Sequence, residues 1–300
     1  RGFGEMVGSR YGELFGKTLL EAFRNPSLHE AQERFRKTGR TTSEEIALGE
    51  ERPLILDVTI SAIEGAAEGA QKTMLVFHDV TRLKQLERVR ADFVANVTHE
   101  IKTPLTAIIG FVETLQAGAC DDRDTARRFL GILHDHALRL NRLVDDLLTL
   151  SAIETGHTAL HPEALKIADI LDAALTILDV RIREKALTLS KDIPAGLPPI
   201  RADRDRGMQI LLNCLDNAVK FTPPGGSLSV AAASGDDGEV VLRIADTGVG
   251  VPQSEVPRLG ERFYRVDRTR SRELGGTGLG LSIVKHLMAA HGGRLRIESA

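Results

Sequence analysis

Residues 82 to 118, RLKQLERVRADFVANVTHEIKTPLTAIIGFVETLQAG, place Leu83, Leu86, Val89, Phe93, Val97, Ile101, Leu105, Ile108 and Val112 at steps of three and four. That period selects one face of a long α-helix, since no strand returns a side chain to the same face at such intervals. After the breaker GACDD a second apolar stripe, Leu130, Leu133, Leu140, Val144, Leu147 and Leu150, predicts another long helix from about Thr125 to Thr155. Two such helices joined by a short loop form an antiparallel hairpin. A lone hairpin leaves both stripes in water, so pairing with a second copy into a dimeric four-helix bundle is the simplest burial. Within the first helix, Pro104 stands five residues after His99. It removes an amide hydrogen bond to the Glu100 carbonyl and predicts a bend just past the histidine.

The flanking regions have other textures. Residues 1–80 read as α+β, with a helical PSLHEAQERFRKTG followed by the strand-like TTSEEIAL, RPLILDVTISAI and KTMLVFHDV. In the middle strand Leu54, Leu56, Val58 and Ile60 alternate onto one face. The turn residues Gly49 to Arg52 and Gly65 to Gly69 predict adjacent antiparallel pairing. From about Leu165 helices and strands alternate with Gly-rich turns, as in an α/β sandwich. The whole is therefore multidomain α+β, divided as 1–80, 81–157 and 158–300.

Composition narrows the classes. A hydrophobic share of 42% with 27% charged residues predicts globular domains, and a net charge of -3 offers no general attraction for nucleic acid or anionic membrane. Cys120 and Cys214 are too far apart for a metal motif and read as inert thiols in a reducing compartment. No apolar run reaches the roughly 18 residues of a membrane span. The start at Arg1, and the end at RLRIESA in what reads as an unfinished strand, predict a fragment whose anchor would lie outside this chain. YGELFGKT imitates a phosphate-binding P-loop, but Gly12 and Gly16 enclose three residues rather than four, so it reads as a surface turn.

Phosphate chemistry points to the last region. In MQILLNCLDNAVKFTP, Asn213, Asn217 and Lys220 fall four and three apart on one helical face. Carboxamide oxygens suit Mg²⁺ held together with substrate phosphates, and the lysine balances phosphate charge. Further on, DTGVG carries Gly248 and Gly250, and GGTGLGLSIVK carries Gly275, Gly276, Gly278 and Gly280 at a helix entrance. Bare backbone approaches phosphates closely there, and the helix N-terminus adds positive potential. Between them, ERFYRVDRTRSREL fits a lid over a nucleotide. G-x-G-x-x-G is absent, so the site is not of Rossmann type.

The ordered segments FVANVTHEIKTPLTAI, NCLDNAVKFTP, DTGVGVP, ERFYRVD and GGTGLGLSIVK resemble the dimeric sensor histidine kinases of bacterial two-component systems, with an ATP-binding domain of the GHKL or Bergerat type. The strands ending in HDVT resemble a PAS sensor domain, and the subfamily resemblance leans to the phosphate-regulon sensors. That likeness implies His99 as phosphoacceptor, Glu100 orienting its ring, and Thr103 positioning water for dephosphorylation of a partner response regulator. The alternative reading of Thr103 is a hydroxyl bonded back into the turn before Pro104. For the nucleotide, the resemblance implies ATP with Mg²⁺ on Asn217, Asn213 supporting it, and Lys220, Tyr264 and Arg265 at the phosphates or ribose. Asp246 would accept from the adenine amino group, with Gly248, Gly250, Gly276, Thr277, Gly278, Leu279 and Gly280 shaping the loops. Related ATPases of the Hsp90 and gyrase type carry a glutamate four residues before the metal-binding asparagine. Here Asn213 stands there and accepts no proton, which favours transfer to a histidine over hydrolysis. Alternatives are a molecule acting mainly as a phosphatase, and a non-catalytic ATP-binding sensor and dimerisation scaffold.

Overall fold

A computed structural model describes residues 16–49, 53–63, 72–154, 160–235, 238–267 and 276–299, and divides at residue 95 into two compact units.

In the first unit, α1 (Leu19–Phe23) and α2 (Pro26–Thr38) precede the strands β1 (Thr42–Leu48), β2 (Leu54–Ala62) and β3 (Thr73–Asp79). The strands pair antiparallel in sequential order, as their alternation predicted. Leu28, Ala31 and Phe35, at helical spacing along α2, pack on Ile46, Leu56, Val58 and Ile60 of the sheet. Each large apolar side chain buried in this way contributes roughly 1.5–3 kcal/mol. Asn25 caps α2 through a bond from the Leu28 amide, and Gly39 ends it at φ +64°. The false P-loop resolves as a turn at Gly16 leading into the Thr18 cap of α1, where Thr18 and Glu21 form a reciprocal capping box. Tyr11 and Gly12 lie outside the described residues, as do Arg52 and the Gly65 to Gly69 turn.

The exit from β3 is tied at both ends. Asp79 accepts from the Thr81 amide at 2.9 Å, and the Thr81 hydroxyl accepts from the Ile55 amide of β2 at 2.8 Å. The Thr81 bonds hold the Asp79 carboxyl below its usual range. Asp79 and Thr81 thereby fix the start of α3 (Thr81–Thr114) to the sheet.

Helix α3 runs unbroken through Pro104, which is buried. A π-helical turn, Leu115–Ala119, closes it, with Gly118 at φ +115°. Asp122 then receives the amides of Asp124 and Thr125 and starts α4 (Arg123–Glu154), two residues earlier than predicted. Phe111 and Phe129 meet across the hairpin with ring centroids 5.1 Å apart. Much of both stripes stays exposed, including Leu105, Val112, Leu130 and Val144, whereas Leu143 and Leu150 of α4 are buried. Thr155 falls outside the described residues.

The remainder of the second unit stacks helices on sheets. Strand β4 (Glu163–Leu165) pairs with β6 (Ile200–Ala202), and β5 (Thr188–Asp192), β7 (Ser227–Ser234) and β8 (Val240–Asp246) form a sheet in that order. β5 runs parallel to β7, and β8 antiparallel to it. The helices are α5 (Ile167–Glu184), α6 (Arg204–Phe221) and α7 (Gly280–Ala290). Ile170, Leu171, Ala174 and Leu178 of α5 meet Leu211, Leu215 and Val219 of α6 over Leu228 and Val230 of β7. Lys185 Nζ donates to the carbonyls of Val219, Lys220 and Thr222 at 2.8–2.9 Å and closes the end of α6. The closing segment departs from expectation. Leu295 and Ile297 alternate with exposed neighbours as a strand would, yet residues 294–299 join no described ladder. Their fastenings are side-chain bonds, Arg294 to Glu239 and the Val251 amide to Ser299.

Candidate functional site

The acceptor segment lies on α3. The His99 side chain is exposed, and among the described residues its ring has no hydrogen-bond partner. Thr103 Oγ1 donates to the His99 carbonyl at 3.0 Å, the back-bonded arrangement that the turn before Pro104 invites. Glu100 departs from the expected contact with the ring. Its Oε2 instead receives Arg139 of α4 at 3.2 Å and Arg265 at 2.9 Å. Adjacent residues on a helix point about 100° apart, which carries the carboxylate away from His99 and toward the two cations. Glu100 is 12% exposed, Arg139 13% and Arg265 5%, so this pairing is sheltered from bulk screening.

The second cluster is a cleft bordered by α6, the end of β8 and the entrance of α7. Asp203 caps α6 by accepting the Asp205 and Arg206 amides at 3.1 Å, and its other oxygen takes the His161 amide at 3.0 Å. His291 Nε2 accepts the Asp203 amide at 3.1 Å, so α7's last turn buttresses the start of α6. Asn213, Asn217 and Lys220 then face the same cleft as Asp246, Gly248, Gly250, Tyr264, Arg265, Gly276, Thr277, Gly278 and Gly280. Lys220 is 7% exposed. Burial pulls its ammonium down to about 8, against the attraction of Asp216 and with repulsion from Arg142, Arg181 and Arg265.

Two glycines are dictated by their neighbours. Gly248 donates to Asp246 Oδ1 at 2.8 Å, and a Cβ there would sit 2.5 Å from that oxygen. Gly278, at φ +75°, would bring a Cβ to 2.9 Å from Phe263 Cα and 3.1 Å from Arg265 Nε. Phe263, itself at φ +61°, donates its amide to the Gly278 carbonyl, so the two loops are laced together. The Arg258 guanidinium covers the Tyr264 ring at 4.1 Å. The Leu279 side chain, between Gly278 and Gly280, is fully buried. It follows the glycine turn into the apolar core, where an exposed leucine would forfeit its burial. Gly275 lies outside the described residues.

Three residues of the site carried no sequence signal. Arg139 and Asp146 sit on α4 with polar neighbours, and His291 reads as a helix end. Asp146 accepts from the Thr277 hydroxyl at 2.8 Å, and burial pushes its carboxyl above its usual range despite that bond. Only a fold that brings residues 131 positions apart together exposes this contact. The donor set also suits the expected ligand. No cluster of three carboxylate, histidine or cysteine groups occurs among the described residues. Among the described residues the buried amide nitrogen of Asn213 has no partner, and an incoming phosphate oxygen would satisfy it.

Comparison with known proteins follows the same division. Residues 89–156 match the His Kinase A (phospho-acceptor) domain, and residues 202–300 match the histidine kinase-, DNA gyrase B- and HSP90-like ATPase domain. The sensor histidine kinase WalK of Bacillus subtilis is 33% identical over 82% of this chain, which spans 40% of that protein. The sensor protein kinase WalK of Staphylococcus aureus is 34% identical over 84% of this chain, which spans 60% of that protein. Both relatives are sensor kinases named WalK. Among solved structures, the Acinetobacter baumannii histidine kinase AdeS has a TM-score of 0.55 at 24% identity, covering 67% of this chain and 91% of that one. Histidine kinase ThkA, solved in complex with response regulator protein TrrA, has a TM-score of 0.56 at 18% identity, covering 99% and 87%. Those two likenesses speak for the fold, and with both domains matched in order the chain belongs to the sensor histidine kinases of bacterial two-component systems.

Proposed function

We propose that this chain autophosphorylates His99 from ATP and passes the phosphoryl group to an aspartate on a response regulator. The observation that carries this reading is the 2.9 Å bond from Arg265 of the nucleotide cleft to Glu100, the neighbour of His99. It brings the acceptor helix and the cleft together within one compact unit.

The exposed His99 ring uses one nitrogen lone pair to attack the γ-phosphorus, and the bond from that phosphorus to the β–γ bridging oxygen breaks as ADP leaves. Arg265, drawn toward the triphosphate, releases Glu100 to accept the hydrogen of the other ring nitrogen. Lys220 neutralises phosphate charge, and Asp246 selects the adenine amino group. Asn217, supported by Asn213, would hold Mg²⁺, which supplies charge neutralisation at the phosphates. In the second step the receiver carboxylate attacks the phosphohistidine and the imidazole leaves. Thr103 would position the water that attacks the regulator's aspartyl phosphate and releases inorganic phosphate and the free carboxylate.

We further assign residues 1–80 to a PAS-like sensor domain, 81–157 to the dimerisation and acceptor hairpin, and 158–300 to the ATP-binding domain. The exposed Leu105, Val112, Leu130 and Val144 support a homodimer built on the hairpins. ThkA, as a complex with TrrA, supports a response regulator as partner. No described helix is long and apolar enough to cross a membrane, so attachment to the inner face of the cell membrane would use segments outside this chain.

Incubation with γ-labelled ATP and Mg²⁺ should yield an acid-labile, base-stable phosphoprotein. Nucleotide binding without incorporation would favour the scaffold reading.

A further inference from the structure

Glu100 is gripped from two directions by residues with different prospects. Arg265 belongs to a loop that borders the nucleotide cleft, and among the described residues its buried Nε has no partner, so it has unused donor capacity beside that cleft. Arg139 sits on α4, the second helix of the hairpin. It does not border the cleft, so an arriving triphosphate has no direct claim on it. Both donate to the same oxygen, Oε2, at 2.9 and 3.2 Å. A carboxylate only 12% exposed is costly to leave charged and unpaired.

We propose that Arg139 is a positioning residue for the transfer to His99. When Arg265 turns to nucleotide, Arg139 keeps Oε2 of Glu100 paired from across the hairpin and leaves the other carboxylate oxygen to turn toward the ring hydrogen of His99. The effect of Arg139 on the transfer runs through its bond to Glu100. This rests on the kinase reading above.

The test uses the full chain and compares autophosphorylation kinetics of Arg139→Met, Arg139→Lys, Glu100→Gln and the double variant Glu100→Gln with Arg139→Met. Loss of orientation beside a reacting group should lower kcat about tenfold in Arg139→Met. KM for ATP should stay within about twofold, because no cleft contact is removed. Arg139→Lys should recover part of the rate, since an ammonium supplies charge without the guanidinium fork. The decisive readout is the double variant, in which Arg139→Met should cost nothing further once Glu100 is uncharged. Wild-type kcat in Arg139→Met, a change in KM alone, or a loss that multiplies onto that of Glu100→Gln would each overturn the proposal. Those outcomes leave the kinase reading intact. Absence of labelled phosphate on the wild-type chain would instead overturn that reading, and this one with it.

Discussion

Nucleotide binding should be coupled to proton uptake through Lys220. Burial lowers its ammonium from 10.5 to about 8. At about 1.4 kcal/mol per tenfold change, keeping it charged in the free protein costs roughly 3 kcal/mol. A folded value below the unfolded one means that the free protein binds fewer protons than the unfolded chain between these pH values. Its stability therefore rises as pH climbs through that window, and the contribution is lost as pH falls through 8. A triphosphate beside the ammonium reverses the penalty and raises its affinity for the proton. At pH 8 the free side chain is about half protonated, so binding should take up about half a proton, falling to nearly none at pH 6. Affinity should weaken about tenfold between pH 7 and pH 9. Titration calorimetry in buffers of different ionisation enthalpy measures the uptake directly. Lys220→Met should abolish it. No uptake at pH 8 in the wild type, or equal uptake in Lys220→Met, would refute the reasoning.

Gly278→Ala combines a left-handed backbone, costing about 1–2 kcal/mol, with a Cβ only 2.9 Å from Phe263 Cα. ATP affinity by fluorescence titration should fall at least about tenfold, while the melting temperature of the remainder changes little. Asp203→Ala removes the cap of α6 and should cost about 1–2 kcal/mol in denaturant unfolding. The amides of His161 and Arg206 hold the Asp203 carboxyl below its usual range. Its contribution is therefore full above the unfolded value near 3.9 and lost as pH falls through the lower folded value, and the wild type should lose its advantage over Asp203→Ala only in that acid range. Thr103→Ala should keep autophosphorylation and forward transfer but slow decay of the purified phospho-regulator. Loss of all three activities together with a lower melting temperature would assign the hydroxyl to its bond with the His99 carbonyl alone.

Periodic features were legible in the chain because burial writes them locally. Leu56, Val58 and Ile60 alternate, and the sheet buries all three. Leu28, Ala31 and Phe35 recur at helical spacing, and α2 presents them to that sheet. The cleft residues were named from the resemblance carried by five ordered segments, since the spacing of Asn213, Asn217 and Lys220 alone also suits a solvated polar stripe. Asn213, Asn217 and Lys220 indeed share a cleft with Asp246 and Gly278. What escaped the sequence were partnerships across distance. Nothing near Glu100 indicates that Arg139 and Arg265, 39 and 165 residues away, will take its carboxylate in place of the neighbouring imidazole. Thr277 and Asp146 escaped for the same reason. The motif did not show that Leu279, between two glycines, turns its apolar side chain into the core. RLRIESA reads as a strand in sequence, but residues 294–299 join no described ladder, and a strand needs a ladder partner.

The central claim is that His99 takes the phosphoryl group from a nucleotide bound in the cleft of Asn217 and Asp246. Phosphosite mapping after incubation with γ-labelled ATP, on wild type and His99→Gln with nucleotide affinity measured on both, tests it most directly. The account predicts label on His99 alone in the wild type, and no label with unchanged affinity in the variant. Label persisting at the wild-type level in His99→Gln, or mapping to another residue, would contradict it.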